Sequence, residues 1–284
     1  MNDLTDLPER LSGVPAAGDG SVARAGDVWL LSWDGAYLGA ALAAAVHEGY
    51  ILAWPVTFGE PVAYRPALVI DNVPYVGSAH LWPTRETGIG MHLLDRPLGH
   101  LMETTRVRAI WEALRERRDP GLAFAPLSPN QESVTEAMVD QWTAMCFHTW
   151  PSGQDLFLSE DRIKRCGGSS AMIASVLGLT PPRLRALWSG TEPATGDQVE
   201  AIAAALGVAG DDVIGEDPLG DVVARLSEPR FKAGIIAAGL DRGLDEGRIR
   251  ELTRAEYALA ARDDSSQISD RRLFDALNRV ASGA

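Results

Sequence analysis

The chain has 284 residues, of which 46% are hydrophobic and 23% charged, and its net charge is −13. This composition supports real hydrophobic cores in two or three domains, and no apolar run approaches the roughly 18 residues that a membrane-spanning helix needs. The acidic balance argues against a protein that coats nucleic acid or a membrane surface.

The first 25 residues are rich in Gly, Ala, Pro and Asp without periodicity, which predicts a flexible tail. They also lack the basic and apolar regions of a secretory signal. The two cysteines, Cys146 and Cys166, form neither a CxxC motif nor a cluster with a nearby histidine pair. These features favour buried thiols in a reduced, cytoplasmic protein.

Short apolar runs rich in Trp, Val, Tyr and Ile follow this tail, and Gly, Pro, Asp or Asn separates most of them. This pattern is typical of closely spaced strands in a small barrel or sandwich. The predicted strands cover residues 26–34, 37–46, 49–57, 65–71 and 78–84. The Ala-rich run at 37–46 is compatible with either a strand or a helix.

The segment from Thr84 to His100 carries many ionisable side chains between glycines. We expect a loop here, which either stabilises itself through ion pairs and backbone contacts or forms a binding or catalytic site. Its histidines lack the helical spacing of a metal-binding pair. No metal and no cofactor are expected. The ionisable or hydroxyl side chains that form this cluster are Thr84, Arg85, Glu86, His92, Asp95, Arg96 and His100.

Apolar residues change to helical spacing after Pro97. Residues 103–118 predict an amphipathic helix, and 121–150 predict a linker followed by a helix that Ser133 caps. The rest of the chain predicts helices and turns. In the C-terminal region the helices are expected near 219–226, 228–240, 249–259 and 273–280, and because each is short they must pack on the chain or on a partner.

The stretch 168–208 combines helix caps, turn glycines and core positions at consistent spacing. Ser169 or Ser170 caps a first helix, Gly178 permits the turn, and Thr180 with Pro181 begins a second helix. Thr195 caps a third helix. The first helix is expected to turn Ile173, Val176 and Leu177 inward, the second Leu184, Leu187 and Trp188, and the third Val199, Ile202, Ala203 and Leu206.

The pieces SVLGLTPPRLRALWSG and QVEAIAAALGV resemble the phage-repressor-like helix-turn-helix family. The resemblance implies that the helix starting at Pro181 enters the major groove of double-stranded DNA. Arg185 would contact a base, whereas Arg183 and Thr180 would hold phosphates. Pro182 departs from the family, which favours a polar residue there. The implied DNA-binding residues are Thr180, Pro182, Arg183, Arg185 and Ser189, and a preceding helix is expected within 155–166.

Charge is unevenly distributed along the chain. Residues 1–150 carry 10 Lys and Arg against 18 Asp and Glu (−8), residues 151–208 carry 5 against 6 (−1), and residues 209–284 carry 11 against 15 (−4). We therefore expect that only a small segment of this acidic protein contacts DNA. DNA binding would then depend on a homodimer or on a protein partner.

The N-terminal pieces GDVWLL and RPALVI, followed by an amphipathic helix, bear a weaker resemblance to the PemK/MazF barrel of endoribonuclease toxins. The resemblance implies metal-independent RNA cleavage by Arg65 with Thr84 or Thr87, because an arginine can stabilise the charge that develops on phosphorus. The insert at 37–57 and the charge of −8 depart from that family.

The sequence thus predicts an α+β protein: a flexible tail (1–25), a small β-barrel-like domain with a helix (26–120), a linker and helix (121–150), and an all-α half with a helix-turn-helix domain (151–215) and a helical C-terminal region (216–284). The leading hypothesis is a bacterial, cytoplasmic, dimeric transcriptional regulator, repressor- or antitoxin-like. The alternatives are a toxin-type endoribonuclease and a non-catalytic interaction module with an acidic surface. No membrane partner is expected.

Overall fold

The computed structural model describes residues 5–59, 66–126, 131–151, 155–260 and 269–283. The chain divides into two units. The first comprises Met1–Trp150 with Ser227–Glu246, and the second comprises Pro151–Leu226 with Gly247–Ala284. A curled antiparallel sheet in the N-terminal part and helices in the C-terminal half confirm the predicted α+β class.

The first unit is built on one antiparallel sheet with the strands β1 (Asp27–Trp33), β2 (Ala36–Val46), β3 (Tyr50–Thr57), β4 (Leu68–Val73), β5 (Gly77–Leu81), β6 (Thr87–Gly90) and β7 (Leu94–His100). The strand order is β4-β5-β3-β2-β1-β7, and β6 pairs with β3. The five predicted strands are all found, and the Ala-rich run is strand β2. This strand lies between β1 and β3, and its residues Ala41 and Ala43 are fully buried.

Strand β1 is apolar on both sides because each side of the sheet packs against a helix. Val28 and Leu30 lie in one core with Val107 of helix α1 (Thr104–Arg115). Trp29 lies in another core with Met145 of helix α2 (Gln131–Cys146). Alternate residues of a strand point to opposite faces, so a strand covered on both faces loses the usual alternation of polar and apolar residues.

Three expectations for this unit are corrected. Leu11 and Val14, within the segment expected to be a flexible tail, are buried in the core. Ser133 lies inside α2, which begins at Gln131 and is therefore not capped by Ser133. The expected loop after Thr84 instead contains β6 and β7, because its backbone pairs with distant strands: β6 with β3, and β7 with β1.

A lysine is buried in the first unit. Helix α8 (Pro229–Arg242) carries Lys232, whose Nζ donates to Glu246 Oε2 at 2.7 Å, to the carbonyl of Ser32 at 2.8 Å and to that of His92 at 3.0 Å. The side chains of Lys232 and Glu246 are 1% and 2% exposed. The backbone N–H of Glu246 donates to Asp34 Oδ1 at 2.6 Å. Lys232 thus joins a helix from late in the chain to the first strand, and no local sequence pattern indicates this contact.

Tyr37 of β2 makes the stability of the first unit sensitive to alkaline pH. Burial raises the pKa of its phenol from 10.0 to about 12, although the Arg10 guanidinium acts in the opposite direction. The folded state thus holds the proton more tightly than the unfolded chain. The contribution of Tyr37 to the free energy of unfolding is therefore fully present below pH 10. It is lost as the pH rises through about 12, at no more than about 1.4 kcal/mol per pH unit. In urea unfolding at stepped alkaline pH, Tyr37→Phe should lose less stability than the wild type. Equal losses in both proteins would contradict this assignment.

The second unit is mainly helical but contains a two-stranded antiparallel ribbon, β8 (Phe157–Leu158) with β9 (Ile214–Gly215). This ribbon corrects the all-α expectation and shortens the helix expected within 155–166, which begins only at Glu160, where Ser159 caps it. The helices assigned here are α3 (Glu160–Arg165), α4 (Ser170–Leu177), α5 (Pro181–Trp188), α6 (Gly196–Leu206), α7 (Gly220–Leu226), α9 (Glu246–Ala260, whose first residue belongs to the first unit) and α10 (Asp270–Ser282).

Candidate nucleic-acid interface

The turn between α4 and α5 forms at the residues that the sequence singled out. Ser169 accepts a hydrogen bond from the Met172 N–H and caps α4. Gly178 ends α4 in the left-handed conformation at φ +63°, which L side chains rarely adopt. The N–H of Leu179 then bonds back to the Ala174 carbonyl at 2.9 Å. Local chemistry therefore fixes where α5 begins.

Helix α5 has one buried and one exposed face. Leu184 and Leu187 are buried in a core with Ile202 of α6. Pro182, Arg183 and Arg185 are exposed, so these three predicted site residues lie on a solvent-facing surface. The neighbouring α4 differs from the expectation at one position, because Val176 was expected inside and is 39% exposed.

The two predicted hydroxyl residues at the ends of α5 differ in how their side chains are engaged. Thr180 occupies the N-cap position and is exposed, but its side chain makes no capping hydrogen bond. Its hydroxyl is thus not committed to the helix end. The Ser189 hydroxyl donates to the Ala186 carbonyl at 3.2 Å and lies 2.6 Å from Thr191 Oγ1. A contact from Ser189 to DNA would have to replace one of these bonds.

The two arginines of α5 have different neighbours. Arg183 Nε lies 3.0 Å from Glu192 Oε2, and both side chains are largely exposed. Exposed pairs of this kind contribute about 0–1 kcal/mol, so a phosphate can displace Glu192 at little cost. Arg185 Nε lies 3.4 Å from the carbonyl of Pro181 in its own helix. A surface carboxylate beside Arg183 is a feature that sequence reasoning missed.

Further basic residues of the second unit lie on α3. Arg162 and Arg165 line a cavity of about 460 Å³ together with Cys166 and Asp212. Lys164 pairs with Glu160 at 2.8 Å, and this hydrogen bond raises the pKa of Lys164. The run DRIKR in the sequence was the available signal for this cluster.

The residues of the nuclease hypothesis lie in the first unit. Thr84 is exposed and lines a cavity of about 250 Å³ with Arg85. Thr87 is half-buried at the start of β6 and hydrogen-bonds the Cys146 thiol; burial raises the pKa of that thiol and the Thr87 bond partly offsets the rise. Arg65 lies outside the described residues.

Two of the ionisable residues that follow Thr84, Asp95 and Arg96, stabilise the fold of the first unit. Asp95 is buried and accepts a hydrogen bond from the Ser32 hydroxyl at 2.8 Å. Arg96 is buried and donates to the carbonyl of Val14 at 3.0 Å. Both contacts are structural, but they join Asp95 and Arg96 to residues distant in sequence, whereas the expectation was that this segment would satisfy its own backbone.

Within the described ranges, no group of three or more His, Cys, Asp or Glu side chains is arranged to hold a metal ion. No helix in the same ranges is long and apolar enough to cross a membrane. Comparison with protein-family models, curated proteins and solved structures finds no match to this chain.

Proposed function

We propose that residues 168–208 bind double-stranded DNA as a helix-turn-helix and that the protein is a transcriptional regulator. The observation that carries this proposal is the exposed face of α5, on which Pro182, Arg183 and Arg185 lie opposite the buried Leu184 and Leu187. A helix whose inner face packs on the core and whose outer face is exposed to solvent can enter a major groove.

The roles of the arginines follow from their chemistry and surroundings. Arg185 has no carboxylate partner among the described residues, and its guanidinium can pair with the two acceptors on the edge of a guanine. Arg183 pairs with Glu192 in the free protein and would exchange that partner for a phosphate. With a segment charge of −1, few phosphates are neutralised per copy, which favours a homodimer that reads two half-sites.

The test is a fluorescence-anisotropy titration with double-stranded DNA selected from a random pool at low salt. Arg185→Ala should weaken binding to the selected sequence by about tenfold to a hundredfold and relax specificity at one position. Arg183→Ala should lower the salt-dependence slope by about one. Glu192→Gln should tighten binding, because it releases Arg183 and removes a negative charge.

The matched control is Arg118→Ala, since Arg118 is also an exposed arginine paired with a glutamate, Glu116. Because Arg118 lies in the first unit, the Arg118→Ala variant should bind DNA like the wild type. Failure of the wild-type protein to bind DNA at any salt concentration would refute the proposal. Equal losses in the Arg118 and Arg185 variants would refute the assignment of α5 as the contact.

A further inference from the structure

The first unit contains a cavity of about 470 Å³ bordered by β2, β3 and α1. Its exposed or partly exposed apolar lining includes Val46 of β2, Leu52 of β3 and Trp111 of α1. The small residue Ala45 of β2 also lines it and leaves room where a larger side chain would fill the space. This size falls within the range of small-molecule sites, which are mostly apolar with a few polar groups.

Three polar side chains line the same cavity. Thr104 and Arg108 are four residues apart on α1, and so lie on the same face of that helix. Arg108 is exposed and forms no ion pair within the described part of the chain. Glu86 Oε2 accepts a hydrogen bond from Trp54 Nε1 at 2.8 Å, which fixes the position of its carboxylate.

These groups select one ligand chemistry. A guanidinium beside a hydroxyl complements a carboxylate, and charge-assisted hydrogen bonds of this kind are stronger than neutral ones. The Glu86 charge repels an anion, which favours an orientation with the ligand carboxylate at Arg108. Apolar ligand surface that leaves water by packing on Val46, Leu52 and Trp111 contributes about 25 cal/mol per Å².

We propose that this cavity binds a small amphipathic monocarboxylate, whose acid group contacts Arg108 and Thr104 and whose apolar body packs on β3 and α1. The proposal concerns the first unit alone and is independent of DNA binding by α5. It gives the N-terminal sheet a ligand-binding role.

Isothermal titration calorimetry and thermal unfolding of the full chain test it with octanoate and phenylbutanoate as probes. Both acids should bind and raise the Tm, whereas phenylbutanamide and phenylbutylamine, which lack the negative charge, should bind at least roughly tenfold more weakly. Absence of binding by both acids would overturn the proposal. Equal binding of phenylbutanoate and its amide would overturn the role of the charge.

Three variants test whether the probe binds in this cavity. Arg108→Gln should raise the Kd of phenylbutanoate roughly tenfold, because it removes a charged donor. Ala45→Phe should fill the space and abolish the Tm shift while the protein still unfolds cooperatively. Arg118→Gln removes an exposed arginine outside the cavity and should bind like the wild type. Unchanged binding in both the Arg108 and Ala45 variants would show that the acids bind elsewhere and would overturn the assignment.

Discussion

Replacing Lys232 with methionine should lower the free energy of unfolding by about 3–5 kcal/mol, as expected when one partner of a buried ion pair is removed. The substitution keeps most of the side-chain volume but removes the ammonium that pairs with the Glu246 carboxylate, which is 2% exposed. It also removes the ammonium donor from the carbonyls of Ser32 and His92. Chemical denaturation monitored by circular dichroism measures the loss.

The double variant Lys232→Met with Glu246→Met separates charge from packing. Replacing both members of a buried pair with apolar residues is often neutral or stabilising, so the double variant should recover most of the stability lost in the single one. A single variant within about 1 kcal/mol of the wild type would contradict the prediction, as would a double variant that loses the sum of the two single effects.

Gly26→Ala should lower the free energy of unfolding of the first unit by roughly 3 kcal/mol or more, because the added methyl group causes both overpacking and backbone strain. Gly26 has φ +93°, and a Cβ there would lie 1.7 Å from the carbonyl oxygen of Met102. The backbone cannot easily move away. The N–H of Gly26 donates to Ala43 O at 2.8 Å, and its carbonyl accepts from the Leu101 N–H at 2.9 Å. Thermal and urea unfolding measure the loss.

Gly35→Ala is the matched control for this glycine. Gly35 has φ +73° at the turn between β1 and β2, but a Cβ there would meet nothing within 4 Å. The Gly35→Ala variant therefore has backbone strain but no steric clash, and its free energy of unfolding should fall by about 1–2 kcal/mol. Similar losses at both glycines would show that the Met102 carbonyl moves aside, contrary to the prediction.

Local chemistry explains what could be predicted from the sequence. Ser169, Gly178 and Thr195 act on residues within one turn of themselves, and each occupies the cap or turn position expected of it. The exposure of Arg183 and Arg185 followed from the helical spacing of Leu184 and Leu187. Most strands of the first unit were found for the same reason, since short apolar runs between turn residues are a local signal.

Contacts distant in sequence explain the rest. Strand β7 is defined by its pairing with β1, about 65 residues earlier, and its polar residues gave it the appearance of a loop. Lys232 meets Ser32 across 200 residues, and no periodicity indicates such a partner. In the candidate site, the pairing of Arg183 with Glu192 depends on the shape of the turn after α5, which single-residue preferences do not specify.

The division of the first unit between Met1–Trp150 and Ser227–Glu246 has a consequence for biosynthesis. After Trp150 has been made, the ribosome must add 96 residues (246 − 150) before Glu246 exists to pair with Lys232. At roughly 5–20 residues per second, the N-terminal sheet therefore waits roughly 5–20 s for its last helix during translation. During that interval the surface that α8 later covers is exposed to chaperones and to aggregation, and the first unit matures only when most of the polypeptide has left the ribosome.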